Sequence, residues 1–216
     1  MFTLDLVDRK TKNISGVLQD AVLRKTLIQS ISSFIQEFQL DGVNLSVESP
    51  LNEQQQLFVE TICKEIREEL NELQFSTNRE DSYILSLVCQ REVLRLDYDK
   101  LFKYVNFLNI ETDNFYAPWL GFPSNTMIGP PTPLYSGHGI HSSHNLDTIM
   151  QYFSCETKRP NRLNIMTEFG GRLGKNVIVP TDPSETLWMT AEDNRKKSRR
   201  KCNRMERLCW KFSFME

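Results

Sequence analysis

Leu18, Val22, Leu23, Leu27, Ile31, Phe34, Ile35 and Phe38 recur at helical spacing, which predicts a helix over residues 17–38. Asp41-Gly42 breaks that pattern, and Val43, Leu45 and Val47 follow on alternate positions, as in a strand that Ser49-Pro50 ends. A second amphipathic helix is predicted over residues 53–73 through Leu57, Phe58, Ile62, Ile66, Leu70 and Leu73. Residues 83–89 form a nearly continuous apolar run, the pattern of a parallel strand covered on both faces. A short helix near 98–104 leads to a strand at 105–112, and a Gly/Pro/Ser-rich excursion spans 117–144. A helix at 145–153 and a strand at 163–168 come after it. Helices alternating with strands, without tight hairpins, predict an α/β fold with a parallel sheet and crossovers.

Composition narrows the class. At 216 residues with 39% hydrophobic and 25% charged positions, the chain can bury a core. No apolar run reaches the ~18 residues of a membrane helix, so no membrane partner is expected. The net charge of −2 does not point to nucleic acid, but it hides a split. Residues 195–211 hold nine Lys/Arg against one Glu, a local +8 that leaves the rest of the chain at −10. The five cysteines, Cys63, Cys89, Cys155, Cys202 and Cys209, include no CxxC pair and are odd in number. They imply neither a closed disulfide framework nor a zinc knuckle. The first eight residues carry no basic and apolar leader pattern.

The strand after Asp41-Gly42 carries the candidate chemistry. With Val43, Leu45 and Val47 on one face, Asn44, Ser46 and Glu48 share the other. An acid and two polar side chains turned into a core are costly unless they line a site, and strand C-terminal ends are where parallel barrels place catalytic groups. The same alternation also fits a strand whose polar edge is simply solvated.

The segment Leu40-Asp41-Gly42-Val43-Asn44-Leu45-Ser46-Val47-Glu48 resembles the D-x-x-D-x-D-x-E signature of glycoside hydrolase family 18, the chitinases. Four further segments resemble that family in its order. They are Phe107 to Trp119, with the family's M-x-Y-D region; Pro133-Leu134-Tyr135, with its S-P-L-Y turn; Asn145 to Tyr152, with its N-V-D-x-x-M-x-Y helix; and Leu163 to Arg172, with its G-x-P-x-Y-G-R strand. The likeness covers about residues 1–190 and leaves 191–216 as a basic C-terminal tail. It implies a (β/α)8 barrel, of which five of eight strands are present: 2–7, 40–48, 82–89, 105–112 and 163–168. By resemblance these are the third to seventh strands, so the first two and the last fall outside the match.

The resemblance makes Glu48 the candidate general acid and Asp41 the first acidic position. The middle Asp of the signature is Asn44, and the Asp that orients the substrate's N-acetyl group is Ser46. Asp113 stands where the family has the Tyr that holds the acetamide, with Asn114 beside it, and Trp119 follows. In substrate-assisted hydrolysis the acetamide is the internal nucleophile. A serine cannot supply the anion that the cationic intermediate needs, and each such electrostatic group is worth ~3–4 kcal/mol. Together these replacements imply a catalytically inactive chitinase-like protein that binds chitin or chito-oligosaccharide weakly, with no cofactor. Two other readings stand beside it: an active chitinase with Glu48 as acid, and a non-enzymatic interaction protein that uses its basic tail. Phe115, Tyr116 and Trp119 offer either sugar-stacking surface or core. The family implies an extracellular protein, although no leader is visible. His138, His141 and His144 recur every three residues inside the Gly/Ser-rich excursion without an acidic or cysteine neighbour, so no metal site is expected.

Overall fold

The structure is a computed structural model that describes residues 1–6, 14–47, 53–90, 96–113, 115–116, 127–137, 145–167, 177–178 and 188–191. The chain divides into two compact units, residues 1–111 with 151–166, and residues 112–150 with 167–216.

The first unit holds strands β1 (Phe2–Leu6), β2 (Gly42–Val47), β3 (Ile84–Cys89), β4 (Phe107–Glu111) and β6 (Leu163–Met166). They form one sheet in the order β1-β2-β3-β4-β6, parallel throughout. The register aligns Phe2 with Val43, Val43 with Leu85, Leu87 with Leu108, and Leu108 with Leu163. Helices α1 (Ile14–Gln19), α2 (Ala21–Glu37), α3 (Glu53–Ser76) and α4 (Tyr98–Leu101) connect the strands.

The single helix expected over 17–38 is two helices. Asp20 stops the first and caps the second, its carboxylate accepting hydrogen bonds from the Val22 and Leu23 amides at 2.8 and 3.2 Å. An aspartate satisfies orphan amides better than it fills a helix interior, so periodicity alone runs through the break. At its other end α2 turns through Gln39 at φ 51°, and the Leu40 amide donates to the Ile35 carbonyl at 2.9 Å. That left-handed cap swings the chain directly into β2.

One face of the sheet is apolar. Val43, Leu45, Val47, Leu85, Leu87, Cys89, Leu108 and Ile110 are buried there. Ile28, Ile31 and Ile35 of α2 and Val59, Ile62, Cys63, Ile66 and Leu70 of α3 are also buried, with α2 packed on β2 and α3 on β3. Burying each such side chain contributes about 2 kcal/mol. Polar clamps fix the layer. Arg24 forms a two-pronged pair with Glu65, both contacts 2.9 Å, and the Ser32 hydroxyl donates to Glu69 at 2.7 Å. The Arg67 guanidinium donates to the Tyr104 and Tyr83 carbonyls and to Asn106 Oδ1 at 2.7, 2.8 and 2.6 Å. Arg162 lies 4.5 Å over the Phe102 ring and donates to the Phe102, Val105 and Asn106 carbonyls.

The second unit contains β5 (Met127–Ile128), β7 (Val177–Ile178) and β8 (Met189–Ala191), an antiparallel sheet in the order β5-β8-β7. The sequence gives no sign of it, because strands of two or three residues are too short to show alternation. Phe115, Tyr116 and Met127 are buried together, with Ile149 and Trp188 packed on them. A Cβ at Gly129 would come within 2.7 Å of the Tyr116 ring and 2.8 Å of the Trp188 ring, so only glycine fits there. Helix α5 (Leu146–Thr157) starts in this unit. Asn145 caps it, accepting from the Thr148 amide at 2.8 Å and donating to the Ser136 hydroxyl at 2.9 Å. The Leu146 and Asp147 amides donate to the Pro133 and Leu134 carbonyls. Two of the family-like segments thus form one helix start.

Candidate functional site

The face of the sheet opposite the helices is polar, and its side chains form one hydrogen-bonded row. The Asn44 amide donates to the Thr3 hydroxyl at 3.2 Å. Its carbonyl accepts from the Ser86 hydroxyl and from the Asn109 amide, both at 2.8 Å. Asn109 also donates to Ser86 at 3.3 Å, and Asn164 donates to Asn109 Oδ1 at 3.2 Å. The row therefore crosses β1, β2, β3, β4 and β6. Asn44 is only 6% exposed and Ser86 is fully buried, so these bonds offset a desolvation cost of about 1–3 kcal/mol for each polar group.

The alternation expected for β2 is present. Val43, Leu45 and Val47 face the helices, while Asn44 reaches the polar row on the other face. Ser46 follows two residues later on that same face, half-buried, in register with Asp5 on β1 and Val88 on β3. Sequence reasoning named Asn44 but missed its partners Thr3, Ser86 and Asn109, and Asn164, which extends the row through Asn109. The signal for Ser86 was present as the one polar position inside an otherwise apolar strand.

Asp41 is placed elsewhere. It precedes β2 at the strand's N-terminal end, about 20 Å of extended chain from Val47 at the other end. Its carboxylate meets the Arg79 guanidinium at 2.7 Å, and that hydrogen bond and charge hold it below the usual carboxylate range. Arg79 in turn lies 4.6 Å over the Tyr83 ring. Asp41 thus clasps a helix–strand junction, and the structure does not bring it to the end of β2 where Glu48 follows in sequence. Asp113 is half-buried in the second unit, two residues beyond the end of β4. Glu48, Asn114 and Trp119 lie outside the described residues, as do His138, His141, His144 and residues 192–216. Phe115 and Tyr116 are 1% and 7% exposed, so these two rings are core and present no stacking surface. Among the described residues no group of three His, Cys, Asp or Glu could hold a metal ion, and no helix is long and apolar enough to cross a membrane.

A family model described as glycosyl hydrolases family 18 matches residues 8–208. The chain belongs to that family. Solved family-18 chitinases and a chitinase-like protein share its fold. An immunomodulatory active chitinase from Trichuris suis is 21% identical, with a TM-score of 0.64 over 76% of this chain and 44% of its own. A class V chitinase from Nicotiana tobaccum is 17% identical, with a TM-score of 0.61 over 76% of this chain and 47% of its own. Human YKL-39, described as a pseudo-chitinase with retained chitooligosaccharide binding properties, is 18% identical, with a TM-score of 0.61 over 74% of this chain and 45% of its own. The chain thus spans less than half the length of these relatives. Its five parallel strands form an incomplete family-18 barrel, and the polar row lies on the sheet face away from the helices.

Proposed function

We propose that this family-18 chain binds chito-oligosaccharide without hydrolysing it. The observation that carries this reading is the neutral chemistry of the signature strand. Asn44 and Ser46 stand where the resemblance expects carboxylates, and the Asn44 amide is already engaged by Thr3, Ser86 and Asn109. Glu48 retains the chemical capacity to protonate a leaving-group oxygen. Protonation alone leaves the positive charge developing at the sugar without an anion to orient the acetamide or stabilise the intermediate. Losing two such groups lowers the rate by several orders of magnitude. Thr3 and Asn164, exposed on the polar face, and the half-buried Ser46 are suited to sugar hydroxyl and N-acetyl groups.

The test pairs binding with turnover. Wild-type chain and Glu48→Gln are titrated calorimetrically with N-acetylglucosamine tetrasaccharide, and reducing ends are assayed over days. Saturable binding with no reducing ends above the Glu48→Gln background is the expected result. Turnover that disappears in Glu48→Gln would establish an active chitinase instead. Absence of both binding and turnover would leave the interaction-protein reading.

A further inference from the structure

Asn44-Leu45-Ser46 has the N-x-[ST] pattern of an acceptor for N-linked glycans, and its middle residue is not proline. Such acceptors belong on surface loops, because the attached sugar is bulky and hydrated. The fold puts this one in the interior. Asn44 lies in β2, with β1 paired on one side and β3 on the other. It is 6% exposed. Its amide donates to the Thr3 hydroxyl at 3.2 Å, and its carbonyl accepts from Ser86 and Asn109, both at 2.8 Å. A sugar ring attached to Nδ2 needs space that these neighbours fill, so the glycan and the folded row exclude one another. The chain's other such pattern is Asn13-Ile14-Ser15, whose asparagine lies outside the described residues.

The order of synthesis sets which state comes first. Ser86 and Asn109 follow Asn44 by 42 and 65 residues. At about 5–20 residues per second, the first of these partners is made roughly 2–8 s after Asn44 and the second roughly 3–13 s after it. Until then β2 has β1 as its only pairing partner in the sheet, and a lone pair of strands is marginal in water. In an extended segment the side chains of Asn44 and Ser46 project to the same side, so the acceptor amide and the hydroxyl of the pattern are presented together. We propose that Asn44 is a fold-gated glycosylation site, open to an oligosaccharyltransferase only before β2 is enclosed between β1 and β3, and that its modification keeps β2 out of the sheet. The donor is a polyprenyl-diphosphate-linked oligosaccharide that begins with N-acetylglucosamine. Asn44 Nδ2 forms a bond to the anomeric carbon while the bond from that carbon to the diphosphate oxygen breaks. The polyprenyl diphosphate leaves with the bonding electron pair, and one amide proton passes to a base of the transferase. This inference rests on the burial of Asn44 and is independent of the sugar-binding reading, which concerns free oligosaccharide and Glu48.

The full chain is fused behind a cleavable secretory leader, with Asn13→Gln so that Asn44 is its one acceptor, and translated in vitro with microsomes. Glycan is read as the mass removed by peptide N-glycosidase, and folding as resistance to trypsin. The expected result is a glycosylated fraction that trypsin degrades and an unglycosylated fraction that resists it. Leu87→Asp places a charge at a fully buried position of β3 and hinders the sheet, so it should raise the glycosylated share severalfold. Ser46→Ala removes the hydroxyl of the pattern and should abolish the glycan. In a second measurement the purified, unglycosylated chain is given to detergent-solubilised transferase and lipid-linked donor. The folded chain should stay unmodified, and the same chain unfolded in urea and diluted into the reaction should be modified. The proposal fails if chains glycosylated at Asn44 resist trypsin as well as unglycosylated ones do, or if folded chain is modified as fast as unfolded chain. It also fails if Asn44 stays unmodified in Leu87→Asp.

Discussion

Asn44 is the residue on which the polar face depends, because one side chain satisfies partners on β1, β3 and β4. Replacing it by Leu keeps the branched outline but adds bulk and removes the acceptor of the buried Ser86 hydroxyl and the shorter of the two acceptors of the Asn109 amide, so Asn44→Leu should cost about 2–4 kcal/mol, read as a lower urea midpoint at unchanged slope. Asn44→Asp should be far milder near neutral pH. The Ser86 hydroxyl and Asn109 amide already donate to that position, and the Thr3 hydroxyl can rotate to donate as well. A milder effect of Leu than of Asp would show that hydrogen bonding does not hold the row together. The buried thiols give a second prediction. Burial pushes Cys63 and Cys89 each from 9.0 up to about 12. Their folded pKa values are raised, so the unfolded chain loses these protons first as pH rises. Stability should therefore fall between about pH 9 and 12, by about 1.4 kcal/mol per pH unit for each thiol within that window. Cys63→Ala/Cys89→Ala should flatten the alkaline limb of a stability–pH curve, and an unchanged limb would refute the assignment.

At the scale of elements, the junctions are held by single residues. The Asp20 cap separates α1 from α2, and Asp20→Ala should cost about 1 kcal/mol, with Asp20→Asn nearly neutral. Gly42 starts β2 at φ +152°, and a Cβ there would collide with the Ile84 backbone. Gly42→Ala should push β2 from β3 and cost about 3 kcal/mol or more, measurable as lost amide protection on both strands. An alanine variant that keeps that protection would show that β3 can shift without penalty. These junctions also explain which elements were legible in sequence. Residues 53–73 carry an uninterrupted helical period, and the helix there extends to Ser76. The reading over 17–38 failed only at Asp20, where capping chemistry competes with periodicity. The strands expected from residues 40, 82 and 105 each start two residues later, because the apolar Leu40, Tyr83 and Val105 continue the pattern ahead of the ladder.

For the whole molecule, the parallel sheet was legible because strand–helix alternation is a long-range pattern that survives substitution of individual site residues, and the family through five segments that resemble its motifs in order. The site was legible only in part. Alternation placed Asn44 and Ser46 on the polar face, but a one-dimensional motif could not show that Asp41 pairs with Arg79 at the far end of β2, nor that Asn44 bonds residues from three other strands. Those facts depend on register, which the motif does not contain. An open sheet also has a consequence for solution behaviour. Edge strands present unpaired backbone groups, and proteins usually protect them with charge, proline or a covering element. On β6, the edge opposite β1 among the described residues, Ile165 is 48% exposed and the four residues Leu163–Met166 carry no charge. The isolated chain should therefore associate as its concentration rises, seen as increasing weight-average mass in sedimentation. Ile165→Lys adds an edge charge at an already exposed position, so it should suppress that association and leave the thermal transition of the dilute chain in place. Retention of full association in Ile165→Lys would move the contact away from β6, and a chain monomeric at all concentrations would show that this edge is protected by something other than its own sequence.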